Sequence, residues 1–144
     1  DAEGSVLPAK STVVIAGQQA DLWYLLGLLN SAPASRLYRA MFGGLALAGG
    51  YVRIGAPQLR QLPVPRLTLA LPEAERAQSL AHALALFEGG KDAVVLADAT
   101  ACRAVPDLAR DLLAALARQR ASQPGLAQRL DMLIDALALW LYES

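Results

Sequence analysis

The sequence predicts an α+β fold that is mostly helical, with a small β element near the N-terminal half followed by a C-terminal helical bundle. Two short runs, 11–16 and 51–54, have the β-branched or alternating composition of strands. After Pro65, apolar side chains instead recur at helical spacing in segments rich in alanine and leucine. With 55% hydrophobic residues over 144 positions, the chain can build the core of one compact domain.

The first elements follow one another closely. The run 11–16 predicts a buried strand, and a helix is predicted at 19–29 because most of its positions are apolar. Asn30 and Ser31 are interpreted as structural residues that cap the end of this helix and start the next turn. Pro33 suits the first turn of a second helix.

The second helix is predicted at about 34–42. Arg36 and Arg39 are separated by three positions and therefore share one face, whereas Leu37 and Met41 lie on another. This pattern is typical of a surface helix with a cationic edge.

The second half of the chain predicts three amphipathic helices and one ambiguous segment. Pro72 and Pro106 are placed at first turns, and Gly89 with Gly90 follows a helix end. The apolar positions of the three helices are Leu80, Leu84 and Phe87; Leu108, Leu112, Leu113 and Leu116; and Leu126, Leu130, Leu133, Leu137 and Trp140. Residues 92–102 fit either a strand or a short helix, and the helix is favoured.

Charge is distributed unevenly although the net charge is zero. Residues 1–66 carry six basic and three acidic groups, whereas residues 67–144 carry seven basic and ten acidic groups. Arginine supplies eleven of the thirteen cations, and its planar fork can bind phosphate or guanine through paired hydrogen bonds. Codon usage rich in G and C would produce the same arginine bias.

Several classes of protein are disfavoured by composition. No apolar run approaches the ~20 residues that cross a bilayer, so a soluble, cytoplasmic protein without membrane contact is expected. The single cysteine, Cys102, excludes an internal disulfide. The chain opens at Asp1 rather than methionine, as expected of a piece of a longer protein.

Three segments carry a family resemblance. An apolar helix ends in Leu-Asn-Ser at 24–31, a Gly-Gly-Tyr-Val-Arg-Ile turn and strand follows at 49–54, and a Leu-Pro-Val-Pro exit closes 59–65. In this order they resemble the TaqI-like C-terminal specificity domain, or target-recognition domain, of adenine-N6 DNA methyltransferases and fused restriction-modification enzymes. The segment 129–142 resembles the closing helix of these enzymes, although Glu-Ser follows where the family has Gly-Leu. Residues 73–102 exceed the family's length and are interpreted as an insertion.

The resemblance implies that DNA recognition and methyl transfer are carried out by different domains of the parent protein. The 1–66 segment would be the C-terminal half of a DNA specificity domain, and 67–144 a helical subdomain packed on it. An upstream methyltransferase domain of the same chain would bind S-adenosylmethionine and flip the adenine. The present chain would bind double-stranded DNA and set sequence specificity, with no cofactor of its own. Whether the parent also carries a nuclease is left open.

The DNA-contacting candidates are cationic or amide side chains and one aromatic residue of the first half. Cations release counterions from phosphate, and arginine, asparagine and glutamine can also bind purine edges. The candidates are Lys10, Arg36, Arg39, Tyr51, Arg53, Gln58 and Arg60, with Tyr38 and Gln61 as further polar contacts.

No catalytic, metal or cofactor site is predicted within the chain. It lacks the Pro-Pro of the methyltransferase catalytic segment, and Gly90-Lys91 is followed by Asp92 where a P-loop needs serine or threonine. His82 has no neighbouring ligand at metal spacing, and Cys102 has no sequence partner for nucleophilic catalysis.

One alternative belongs to a different class. The acidic, Leu- and Ala-rich residues 67–144 could form a helical interaction or dimerisation module without nucleic-acid contact. The two interpretations differ in what they require at the surface. The first needs an exposed positive face at Arg36, Arg39 and Arg53, and the second needs an open apolar stripe.

Overall fold

The computed structural model describes residues 13–45, 54–65, 69–101 and 106–144. Within these ranges the chain forms seven α-helices and two short 3₁₀ turns. The helices are α1 (Gln19–Leu29), α2 (Ala32–Phe42), α3 (Ala56–Gln61), α4 (Glu73–Glu88), α5 (Asp92–Thr100), α6 (Asp107–Ser122) and α7 (Ala127–Glu143). The 3₁₀ turns are Gly43–Leu45 and Pro124–Leu126.

The hydrophobic core is organised around α6. Its apolar face contributes Leu112, Leu113 and Leu116, none of which has any exposed surface, and it packs against α1, α4 and α7. From α7, Leu130 and Leu137 complete the centre of the core. Burial of these leucines provides the main driving force for the helical assembly.

Residues of the interpreted insertion, 73–102, belong to this core. Ala83 and Phe87 of α4 and Val95 and Ala99 of α5 are buried in the same cluster as the α6 leucines. These two helices therefore cover apolar surface of α6 and α7. Their removal would leave that surface exposed to water.

Helix α1 approaches α6 closely at Gly27. A Cβ atom at this position would lie 2.6 Å from Leu113 Cδ2 and 3.0 Å from Ala117 Cβ. Because glycine has no side chain, the two helix backbones come closer than any larger residue would allow. This contact fixes how α1, and with it the start of α2, is placed on the bundle.

A second, smaller cluster joins α2 to the segment that follows α3. Tyr38 and Phe42 are buried with ring centroids 4.9 Å apart, and Leu62 packs against the same cluster. Tyr24 of α1 then donates a 2.9 Å hydrogen bond from its hydroxyl to the carbonyl oxygen of Pro65. The Leu-Pro-Val-Pro exit is thus attached to both α2 and α1.

The connection from α4 to α5 turns through Gly90, whose φ of +76° suits glycine. Arg129 of α7 reinforces it: its Nε donates to Asp92 at 2.7 Å, and its guanidinium lies 4.0 Å from the Phe87 ring centroid. The hydrogen bonds from Arg129 hold the pKa of Asp92 below its usual value. This arginine therefore has a structural role between three helices.

The predicted β element is wrong for the part of the chain that the structure describes, which is helical and contains no strand. Residues 13–16 have no regular structure, and Val13, Val14 and Ile15 are exposed. Ile54 is 64% exposed and lies outside any strand. A β-branched run forms a strand only beside another strand, and no described residue supplies one here. Residues 11, 12 and 51–53 lie outside the described ranges.

Most helix predictions are confirmed. The helix predicted at 19–29 has those bounds, and the one predicted at about 34–42 begins two residues earlier, at Ala32. Within the ambiguous segment 92–102, residues 92–100 form α5, so the strand alternative is wrong; residue 102 lies outside the described ranges. No helix in the described residues is long and apolar enough to cross a bilayer.

Candidate nucleic-acid interface

A groove of about 650 Å³ lies between α1, α2, α6 and α7. Ser35, Arg36 and Arg39 line it from α2, and Arg120 lines it from α6. The wall from α7 includes Asp131 and Asp135, and α1 contributes Leu26, Gly27 and the following Asn30. The groove therefore combines three arginines with two aspartates.

The start of α2 is fixed from two sides. Ser31 accepts a 3.3 Å hydrogen bond from the amide of Ala34, and its hydroxyl donates to the carbonyl of Leu28 at 2.6 Å. From α7, Asp135 accepts a 2.7 Å hydrogen bond from the amide of Ala32. These contacts confirm the structural interpretation of Ser31. They also occupy amides at this helix start, so the anion-binding capacity of the groove rests on its arginines.

Arg36 and Arg39 are both exposed and both face this groove. They lie one turn apart on α2, whose opposite face buries Ala34, Tyr38 and Phe42. Among the described residues neither guanidinium has an ion-pair or hydrogen-bond partner. A cation without a protein partner keeps its full capacity to bind an external anion.

Arg120 is a groove residue that sequence reasoning missed. Its Nε donates to Asp131 Oδ1 at 2.8 Å and its Nη2 to Asp131 Oδ2 at 3.4 Å. These hydrogen bonds raise the pKa of Arg120 above its ordinary value. The sequence does contain a signal for it, since Arg118 and Arg120 form a basic doublet near the end of α6, but only the fold places the second of them on the wall of the groove.

The other predicted contacts on α3 do not line the groove. Arg60 is exposed and Gln58 is partly exposed, and the side chain of Gln61 donates to the carbonyl of Pro57 at 3.1 Å within its own helix. Tyr38 is buried against Phe42. The structure therefore brings together Arg36 and Arg39 from the predicted set and leaves Gln58 and Arg60 on a separate helix.

Three of the predicted residues, Lys10, Tyr51 and Arg53, lie outside the described residues. The expected convergence of Arg36, Arg39 and Arg53 is therefore established for the first two only. Cys102 also lies outside the described ranges, and His82 is exposed on α4. Among the described residues, no group of three or more His, Cys, Asp or Glu side chains is arranged to hold a metal ion.

Burial changes the ionisation of Tyr24, which lies on the groove helix α1. Loss of hydration raises the pKa of Tyr24 to about 12, against a smaller opposing effect of Arg110, whose guanidinium lies 5.4 Å from the ring centroid. Arg110 itself pairs with Asp21 and Asp111. These charges stabilise the junction of α1 and α6, whereas Arg36 and Arg39 remain available.

Comparison with known proteins finds no matching family model, no matching curated protein and no matching solved structure.

Proposed function

We propose that this chain is the DNA target-recognition module of an adenine-N6 DNA methyltransferase or a fused restriction-modification enzyme, and that it contacts duplex DNA through α2. The observation that carries the proposal is the pair Arg36 and Arg39, exposed, without partners among the described residues and facing one groove. The family resemblance of 24–31, 49–54 and 59–65 supplies the enzyme class.

The physical basis is the release of counterions. A duplex carries a condensed layer of cations, and each phosphate neutralised by a protein cation frees part of it. Arginine is suited to this contact because its guanidinium donates two parallel hydrogen bonds to phosphate oxygens. Two such side chains one turn apart would set the position of the protein on the backbone, while base contacts from other residues would set sequence preference.

The two aspartates of the groove are compensated within the protein. Asp135 accepts a hydrogen bond from the start of α2, where the helix dipole favours negative charge, and Asp131 is paired with Arg120. Repulsion of a phosphate by these carboxylates is thereby reduced. The charged groove side chains that have no hydrogen-bond or ion-pair partner among the described residues are Arg36 and Arg39.

Under this proposal the chemistry takes place elsewhere. The upstream methyltransferase domain would bind S-adenosylmethionine, extrude the target adenine and transfer the methyl group. The present chain would hold the duplex.

The test is fluorescence anisotropy of a labelled random duplex, titrated with the 144-residue chain between about 50 and about 200 mM salt. The double variant Arg36→Ala/Arg39→Ala is expected to reduce the slope of log affinity against log salt by up to about 2. Lys91→Ala, which removes an exposed cation outside the groove, is the matched control and should leave the slope unchanged. An unaltered slope in the double variant would remove α2 from the DNA interface.

A second candidate function is self-association through α7. Met132 and Leu139 are seven positions apart, which places them on one face, and they are 69% and 46% exposed. Light scattering after gel filtration, at several protein concentrations, tests this candidate. A dimer that the variant Met132→Glu/Leu139→Glu abolishes would support it, and a monomer at all concentrations would exclude it.

A further inference from the structure

The groove beside α2 has a second basic wall. Arg36 and Arg39 come from the segment that resembles a specificity domain, whereas Arg120 comes from α6 in the helical half. These helices are distant in sequence and line one groove only in the folded protein. A group held between them would contact both halves of the chain at once.

Arg120 is presented in a defined orientation. Asp131 accepts hydrogen bonds from its Nε and Nη2, which holds one edge of the guanidinium. The Nη1 group has no partner among the described residues, and the side chain is 40% exposed. A guanidinium held along one edge keeps donors on the other edge for an external acceptor, and it loses less conformational freedom when that acceptor binds.

The charge and size of the groove suit a phosphate group. Three arginines and two aspartates leave a net positive charge in the groove. The volume of about 650 Å³ accommodates a phosphodiester together with ordered water. A purely apolar ligand would leave these charged groups without hydration.

We propose that a stretch of DNA backbone lies along the groove between α2 and α6, that Arg120 contacts a further phosphate beside those bound by Arg36 and Arg39, and that Asp131 is its positioning residue. The inference rests on the proposed function. It adds a DNA contact in the half of the chain whose net charge is negative.

The first experiment uses the same anisotropy titration on single variants. Arg120→Ala is expected to reduce the slope of log affinity against log salt by about 0.9, which is the contribution of one contact with a phosphate of duplex DNA. Arg118→Ala is the matched control, because this exposed arginine lies on the same helix but does not line the groove. Arg120→Lys should keep the slope but weaken binding, since it preserves charge and loses the fork.

The second experiment separates a positioning role of Asp131 from its charge. If Asp131 acted through its charge alone, Asp131→Asn would strengthen duplex binding in every background. If it positions Arg120, Asp131→Asn is expected to weaken binding when Arg120 is present and to strengthen it in the Arg120→Ala background. Strengthening of equal size in both backgrounds would refute the positioning role. Circular dichroism checks that each variant is folded. Loss of an exposed ion pair is expected to change the stability of the fold little.

The outcomes distinguish this inference from the proposed function. Loss of slope in Arg36→Ala/Arg39→Ala but not in Arg120→Ala would overturn the inference and leave α2 as the interface. Absence of salt-sensitive duplex binding by the wild-type chain would overturn both. A thermal-shift titration with ATP tests the other source of phosphate: an Arg120-dependent rise in Tm without duplex binding would assign the groove to a free nucleotide and refute a DNA contact.

Discussion

Substitution of Gly27 by alanine provides a direct test of the α1–α6 contact. In an exposed helix interior, alanine would stabilise the fold by about 1 kcal/mol relative to glycine. At Gly27, however, the new Cβ would meet Leu113 Cδ2 at 2.6 Å and Ala117 Cβ at 3.0 Å. Leu113 has no exposed surface and Ala117 is 4% exposed, so neither can move aside into solvent.

Relief of such a clash requires a shift of helix or rotamer that typically costs about 1–3 kcal/mol. After the gain in helix propensity is subtracted, Gly27→Ala is expected to lower the free energy of unfolding by up to about 2 kcal/mol. Urea denaturation followed by circular dichroism measures this value. Gly43→Ala is the matched control, because a Cβ there meets nothing within 4 Å and the φ of −59° suits alanine.

A double-mutant cycle identifies the cause of the loss. Leu113→Ala removes the closer of the two clashing atoms and creates space, so Gly27→Ala should be less destabilising, or stabilising, in that background. The reasoning would be refuted if Gly27→Ala were as stable as Gly43→Ala, or if its effect were the same with leucine and with alanine at position 113.

Three further predictions concern the core, the cap and the junction at Tyr24. Leu133→Ala should cost about 2–5 kcal/mol of stability because Leu133 is 3% exposed. The control Met132→Ala should cost under about 0.5 kcal/mol because Met132 is 69% exposed. Equal losses of the two variants in urea denaturation would contradict the assigned buried face of α7. Asp135→Ala should cost about 0.5–2 kcal/mol through loss of the cap on Ala32, and unchanged amide exchange at the start of α2 would disprove that role. Burial raises the pKa of Tyr24 from 10.0 to about 12, so the folded state retains a proton that the unfolded state releases in this range. The stability that the buried neutral tyrosine contributes is therefore complete below the pKa of the unfolded state and is lost as the pH rises from 10.0 to about 12. The variant Tyr24→Phe should lose less stability between about pH 9 and about pH 11, and an identical pH dependence would contradict this assignment.

The sequence predicts six of the seven described helices because their signals are local, whereas the short α3 was not predicted. In α1 the apolar run and the Asn30-Ser31 end define both bounds, and Ser31 caps the start of α2, as its side chain suggests. The strand predicted at 11–16 is wrong for residues 13–16, which the structure describes. That prediction depended only on the β-branched composition of the segment. Val14 and Ile15 have high β propensity, but they lie in an exposed segment without a pairing partner among the described residues.

The groove could be predicted only in part. The spacing of Arg36 and Arg39 was enough to place them on one exposed face of a helix. The facing wall depends on tertiary structure: Arg120 meets Asp131 across the turn between α6 and α7, and Asp135 reaches Ala32 from a position 103 residues away. No local pattern encodes either contact, because both depend on how the helices cross.

The hydrogen bond from Ala32 to Asp135 also has a consequence for the order of folding. Contacts between residues far apart in sequence form late, because a long stretch of chain must first be brought together. During synthesis, α2 leaves the ribosome long before residue 135 exists, so its first turn at first has only the local Ser31 cap, and the hydrogen bond to Asp135 forms when α7 docks. A nascent chain would therefore carry Arg36 and Arg39 without the fold that brings them to one groove with Arg120, and the complete groove would form only after α7 had been translated.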